Sequence, residues 1–478
     1  MAGGRRQKLD KVAQENIVAL QKGTPKQQAV KSAAVRSTAV KSAAAAVVAN
    51  PAAPALKHEA PKPEPLREPE PNLLPPGGCA PPDLAPEGAG RKRPVHNEYT
   101  VRALVLQGGG ALGSYQAGVY QGLAEAGIQP NWVAGISIGA LNAAVIAGNA
   151  PERRVEQLRA FWDYICQQPW LPSLLPYEVV AETAAHWPDP LRIWFDGIEA
   201  ARAIFEGQRG FFQPRPWTSL VERQCGPASA SYYDTSPLKA TLERFADFDR
   251  INSHHKETRV SVGAVNVRTG NFAYFDNTRR KLHAEHFMAS GALPPGFPAV
   301  EIDGEFYWDG GLVSNTPLSE VLTAQPRRDA LIFQVDLWSA RGKLPHNLLD
   351  VAERQKDIQY SSRTRTITDY MGEQQNYRRM LSEVMALVPQ GQRDNDWYRK
   401  AAEYACDARR NVIQLVYRDK TFEGNAKDYQ FGLLTMNDHW TSGLDDIRET
   451  LKHPEWLAMP THEKPFVTHD IHRGNGHA

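Results

Sequence analysis

Gly135-Ile136-Ser137-Ile138-Gly139 is the stretch that decides how this chain is read. An apolar approach, Trp132-Val133-Ala134, leads into it, and a run of helix formers and small residues, Ala140-Leu141-Asn142-Ala143-Ala144-Val145-Ile146, leads away. A serine with glycine at both second neighbours, between a strand and a helix, reads as a nucleophile elbow. Gly135 and Gly139 lack Cβ atoms and so permit a sharp turn. The Ser137 hydroxyl then stands at the head of a helix whose N-terminus favours negative charge.

The residues upstream supply a second half for such chemistry. Val101 to Leu106 is a continuous β-rich run of the buried parallel-strand type. Directly after it come Gln107-Gly108-Gly109-Gly110-Ala111-Leu112-Gly113 and a helical stretch, Ser114 to Leu123. Strand, glycine-rich loop and helix together make an anion-binding design, because bare backbone N–H groups converge with a helix N-terminus. A nucleotide-binding loop is the rival reading. The Gly-Lys-Ser/Thr ending of a Walker loop is missing, while Gly108, Gly110 and Gly113 come close to a dinucleotide fingerprint. The elbow downstream tips the balance, since acyl transfer needs both a nucleophile and an oxyanion hole.

Past the elbow, an irregular insertion spans about residues 151–248, rich in aromatics such as Phe161, Trp162, Trp170, Trp194, Phe211, Phe212 and Trp217 and broken by prolines. It has the character of a helical lid over an apolar pocket, some of its aromatics packing the lid onto the domain. Arg259 to Val267 and Asn271 to Phe275 read as a hairpin, and His283 to Ser290 as a helix. Glu305 to Trp308 then reads as a strand ending at Asp309-Gly310-Gly311, which by itself is an ordinary Asp-Gly turn. Ala330 to Trp338 is expected to be the last core strand, followed by one or two polar helices over Leu348 to Leu387 and a further strand at Asn411 to Tyr417. Thr441 and Ser442 look like the capping end of a bend before a closing helix, Gly443 to Lys452. A polar tail with His469, His472 and His477 follows, read as solvated because the spacing suits no metal.

Composition bounds the rest. The 478 residues carry a net charge of +1, so no global field points to nucleic acid. Residues 1–95 contain no Trp, Phe or Tyr and are rich in Ala, Pro, Lys and Glu, which reads as a mobile tail and linker. Within it AVKSAA recurs at Ala29 and Ala39. Its five-residue period spirals the basic residues around a helix and makes no amphipathic stripe. The four cysteines, Cys79, Cys166, Cys225 and Cys406, show no CxxC spacing or evident pairing and read as reduced thiols of a cytoplasmic protein. No apolar run is long enough to span a membrane, and no secretory signal opens the chain.

Four blocks stand in order: Gly108 to Gly113, Gly135 to Gly139, Ala289-Ser290-Gly291-Ala292-Leu293-Pro294-Pro295-Gly296-Phe297-Pro298, and Asp309-Gly310-Gly311. Together they resemble the patatin-like phospholipases, over about Val101 to Leu337, and the C-terminal portion is similar to an extra domain found in one bacterial subgroup. The resemblance implies an α/β fold: a three-layer α/β/α sandwich with a mostly parallel central sheet, a helical lid insertion and an α-rich C-terminal extension. It divides the chain into the tail at 1–95, a catalytic domain at 96–338 with its lid at 151–248, and an extension at 339–478 packed on that domain. It implies a Ser-Asp dyad, with Ser137 as nucleophile and Asp309 as base, and an oxyanion hole from Gly108, Gly109, Gly110, Ala111, Leu112 and Gly113. Gly135, Gly139, Gly310 and Gly311 form the elbow and the turn; neither metal nor other cofactor is implied. His283 and His286 read as surface or structural residues. The family commonly has Arg or Lys where this chain has Leu112, so an acyl ester of a lipid is a firmer expectation than a phosphate headgroup. The implied substrate is a lipid or other acyl ester, with peripheral contact to a membrane or lipid granule and no specific nucleic acid. A polyester-granule depolymerase and a non-catalytic docking protein are the alternatives; Ile136, where a related acyltransferase elbow has His, argues against an acyltransferase or thioesterase.

Overall fold

Apolar runs of four to eight residues dictate the frame, and the computed structural model closes them into one sheet. It describes residues 98–470 except 167–186, 217–224, 254–256, 363, 419, 421–422 and 424–425. The tail expected at 1–95 and the histidines His472 and His477 lie outside the described residues. The strands are Val101–Leu106 (β1), Trp132–Gly135 (β2), Arg259–Asn266 (β3), Phe272–Asp276 (β4), Val300–Ile302 (β5), Glu305–Asp309 (β6), Ala330–Asp336 (β7), Arg410–Val416 (β8) and Phe466–Asp470 (β9). Their order is β9-β8-β7-β1-β2-β3-β6-β5, with β4 also paired to β3. Neighbours from β9 to β3 run parallel, while β4, β5 and β6 are joined antiparallel.

The period-two alternation of strands sorts the side chains into two cores. Leu104, Leu106, Val133, Phe333 and Ile413 enter one, and Ala103, Val105, Trp132, Ile332 and Val412 enter the other. The first lies under Gly113–Glu125 (α1), Ile138–Ala147 (α2), Arg154–Cys166 (α3), Ser236–Phe245, the C-terminal Leu433–Leu451 and other helices; the second lies under Leu318–Thr323. This is the expected three-layer α/β/α arrangement around a mostly parallel sheet. Asn142, buried in α2, ties the first layer together: its amide donates to the Gly113 carbonyl and the Gln116 side chain, both at 2.9 Å, and its oxygen accepts from Trp162 Nε1 at 3.0 Å.

Several expectations need correcting. The closing helix spans Leu433–Leu451, so Thr441 and Ser442 lie in its middle; its buried residues, Met436, Trp440 and Ile447 among them, form the face that polar neighbours obscure in sequence. Phe466–Asp470, read as tail, is the edge strand β9, and His469 stacks on Trp456 with ring centroids 5.3 Å apart. Cys406 is disulfide-bonded, whereas Cys166 and Cys225 are free; spacing along a chain does not report distance in the fold. Phe161 and Trp162, counted with the lid aromatics, are core residues of α3, while Trp170 and Trp217 lie outside the described residues.

The segment 339–478 is also woven in more deeply than a packed extension. It supplies β8 and β9 to the sheet, and Leu433–Leu451 lies along α1, where Tyr115 donates to Asp446 at 2.7 Å. A chain ended at residue 338 would uncover Ile332, Phe333, Val335 and Tyr115. Each such side chain is worth about 1.5–3 kcal/mol, against a total stability of roughly 5–15 kcal/mol. The expected outcome is a truncated protein without a cooperative thermal transition in circular dichroism.

Candidate active site

The loops after β1 and β2 leave the same edge of the sheet, because Leu106 is in register with both Gly135 and Val335. Ligand sites of open α/β sheets lie at this carboxyl edge. The turn after β2 is as tight as its glycines allow: a Cβ on Gly135 would sit 2.3 Å from the Gly139 carbonyl oxygen. Ser137 takes φ 54° and ψ −126°, a conformation that costs a non-glycine residue about 1–3 kcal/mol. Its amide is held by Ser290, whose carbonyl and hydroxyl oxygens both lie 3.1 Å away. Although Ser137 is the N-cap of α2, its hydroxyl does not cap that helix. It shares the cleft with Asp309 and acts to lower that carboxyl's pKa.

Asp309 reaches this point through strand register. On one edge of β3, β2 pairs with Arg259 to Val262 and stops; β6 continues along that same edge, with Asp309 opposite Ala264. The other edge is filled by β4. The two residues after Gly135 therefore meet the end of β6. Asp309 is buried, and its Oδ1 accepts from the Gly311 amide at 2.7 Å. Burial pushes its carboxyl up to about 7 from an ordinary 3.8, against the opposing pull of the Gly311 and Ser137 hydrogen bonds.

The six-residue oxyanion expectation narrows. The amides of Gly108, Leu112 and Gly113 already donate to the carbonyls of Asn315, Gly109 and Gly110. Among the described residues no hydrogen bond is donated by the amides of Gly109, Gly110 or Ala111. Gly110 needs to be glycine on two counts: its φ is +56°, and a Cβ would fall 2.3 Å from the Asp428 carbonyl oxygen. The loop is braced from beneath by buried Gln107, whose side chain accepts from the amides of Leu337 and Trp338 at 2.6 and 3.0 Å. Asn315 Nδ2 and Trp338 Nε1 both donate to the Gly108 carbonyl, at 3.0 and 2.8 Å. Behind it, buried His439 pairs with Glu423 at 2.7 Å and faces the Ala111 carbonyl at 3.4 Å. His283 and His286 stand apart from the cleft lining; burial lowers His286 to about 4.

Ser137, Asp309 and the glycine loop open into a cleft of about 680 Å³ including its mouth. Its apolar wall is Phe211, Phe212, Leu293, Phe297 and Phe431. Leu112 is fully buried, and no Lys, Arg or His is among the described lining residues. Asp428, at the rim, is paired with Lys356 at 2.8 Å. Sequence reasoning missed Asn315, Trp338, Asp428 and Phe431 as site residues. Asn315 follows the Asp-Gly-Gly block closely enough to have been suspected; Phe431 carries no local signal at all.

Residues 104–322 match the family model of patatin-like phospholipase, and residues 358–463 match a second model described as patatin phospholipase, together more than half of the chain. A cGAMP-activated phospholipase of Pseudomonas aeruginosa is 34% identical over 146 residues, covering 27% of this chain. The match spans 42% of that relative's length. Among solved structures, VipD from Legionella pneumophila aligns at 15% identity and TM-score 0.29, covering 72% of this chain and 67% of that one. Human GIVD cytosolic phospholipase A2 aligns at 12% identity and TM-score 0.29, covering 76% and 60%.

The Asp309 environment has a thermodynamic consequence. A carboxyl whose folded pKa is about 7 and unfolded pKa about 3.8 binds its proton more tightly when folded, so its contribution falls as pH rises between those values. Above pH 7 the cost is on the order of 4 kcal/mol, at 1.36 kcal/mol per unit. Asp309→Asn is expected to raise the melting temperature at pH 8 and to leave it nearly unchanged at pH 4, as measured by differential scanning calorimetry.

Proposed function

Because this chain belongs to the patatin-like phospholipase family, we propose that it is a serine lipid acyl hydrolase working through a Ser137–Asp309 dyad. One observation carries the reading: Ser137, in a strained turn, and the buried carboxyl of Asp309 line one cleft beside three backbone amides without partners among the described residues.

The steps follow from these groups. Asp309, as carboxylate, accepts the Ser137 proton while the serine oxygen attacks the ester carbonyl. The amides of Gly109, Gly110 and Ala111 receive the oxyanion, one such donor being worth about 3 kcal/mol of transition-state stabilisation. The positive end of the α2 dipole adds to this. Collapse expels the alcohol, which takes the proton from Asp309, and leaves an acyl-serine. Water then attacks the acyl group with Asp309 again as base, releasing the carboxylic acid and restoring Ser137. Deprotonation of Asp309 is the gate, and its raised pKa makes it a stronger base near neutral pH than an ordinary aspartate.

The aromatic wall supports an acyl chain as the group bound. The lining has no cation among its described residues to grip a phosphate, so the reading is an ester of a lipid and commits to no headgroup. Ser137 and Asp309, set together in one cleft, speak against a purely non-catalytic docking role.

Ser137→Ala and Asp309→Asn are each expected to lower turnover of a medium-chain p-nitrophenyl ester by about a thousandfold or more, with labelling by a fluorophosphonate lost in Ser137→Ala. Undiminished turnover in both variants would sink the dyad. For the wild type, kcat/KM should fall tenfold per pH unit below about 7, the value to which burial raises Asp309, and level off above it, read from initial rates across pH 5 to 9.

A further inference from the structure

The helix Asp189–Glu206 (here α4, following α1 to α3 in the chain) is built inside out. An ordinary surface helix turns its charged face to water and its apolar stripe to the core. Here Arg192, Asp196, Glu199 and Arg202 are all buried, and every exposed position from Leu191 to Phe205 is apolar. Trp194 is 64% exposed and Phe205 80%, with Leu191, Ile193, Ile198 and Ile204 beside them.

The inward charges are anchored. Arg192 pairs with Asp438, and Asp196 accepts from Thr435 Oγ1 at 3.2 Å, both on the helix Leu433–Leu451. Arg202 lies 3.4 Å from Glu199. Rolling the helix to hide its apolar side would strip Arg192 and Asp196 of these partners on Leu433–Leu451 and carry the Arg202–Glu199 pair out with it, so the outward face is fixed by the electrostatics of the inward one.

The helix that carries this face adjoins the apolar wall of the cleft. The chain runs from Glu206 through Gly207 into Phe211 and Phe212 of the apolar wall. Tyr233, edge-on to Phe212 at 4.9 Å, donates to the Ile204 carbonyl at 2.7 Å. The Glu199 side chain lies against Gly432, next to Phe431 of the same wall.

We propose that the outward face of this helix is the surface by which the protein settles on aggregated lipid, the apolar side chains entering the acyl region beside the cleft mouth. The occupant is argued from chemistry. From Leu191 to Phe205 the surface offers no charge to a complementary protein, whereas Glu373 and Glu383 interrupt the exposed apolar stripe of Thr364–Ala386. An uncharged acyl layer asks for no hydrogen bond or ion pair, and it is where a water-insoluble ester resides. The inference rests on the lipid-ester reading above. No helix among the described residues is long and apolar enough to cross a membrane, so the contact is with a surface.

The test uses the full chain and vesicles of phosphatidylcholine with brominated acyl chains. Wild type is expected to co-float with the vesicles equally at low and at 0.5 M salt, since charge takes no part, and its tryptophan fluorescence to be quenched by the bromine. Trp194→Ser combined with Phe205→Ser is expected to co-float at least tenfold less while turning over a soluble short-chain p-nitrophenyl ester at the wild-type rate, which also shows that it is folded. Trp194→Phe should co-float and lose much of the quenching, a second readout independent of the double variant. Equal flotation of wild type and double variant would overturn the proposal. So would a wild type that ignores vesicles but sediments as a dimer dissolved by the same substitutions. Absence of soluble ester turnover in the wild type would count against the hydrolase reading alone, because flotation is read without catalysis.

Discussion

The site depends on one edge of β3 being shared end to end by two strands. β2 occupies it as far as Val262 and then stops, because Gly135 begins the elbow; β6 takes it up at Ala264 and stops at Asp309, where Gly310 and Gly311 turn away. Neither strand leaves room for the other to slide. A register shift of one residue in β6 would turn the Asp309 side chain to the opposite face of the sheet. The spacing of Ser137 and Asp309 is thus held by backbone hydrogen bonds of a buried sheet and not by the flexible reach of a side chain.

The second constraint comes from the far end of the chain. The segment around Asp428 presses its carbonyl on Gly110, Phe431 completes the apolar wall, and His439 stands behind Ala111. The glycine loop is therefore clasped between Gln107, anchored on the end of β7, and residues that arrive more than three hundred positions later. Amides without partners in a loop would ordinarily collapse onto some acceptor. These are kept apart because every nearby carbonyl of the loop is already committed: Gly108 to Asn315 and Trp338, Gly109 to Leu112, and Gly110 to Gly113.

Such an arrangement costs stability. Ser137 holds a positive φ, Asp309 is a carboxyl out of water, and three amides lack partners among the described residues. Each departs from what an optimally stable fold would choose, and each is what acyl transfer requires. The inverted helix Asp189–Glu206 belongs to the same pattern: apolar surface is left in water where a lipid-facing role makes use of it.

The sequence by itself determined the frame and pointed to Ser137 and Asp309, which the fold brings to one cleft. Ala103 to Leu106 and Ala330 to Phe333 are apolar on consecutive positions, as a strand buried on both faces is, and the glycines around Ser137 announce a sharp turn. Local rules were enough there because the signal lies within a few residues. They were not enough for the C-terminal third. Phe466 to Asp470 alternates too weakly to announce a strand, and the helix from Leu433 hides its buried face among polar neighbours. Nor does any local pattern single out the three loop amides that keep no partner among the described residues, the raised pKa of Asp309, or the burial of Arg192, Asp196, Glu199 and Arg202. Those depend on what distant segments place against each group, and desolvation and hydrogen-bond partnership exist only once the chain is folded.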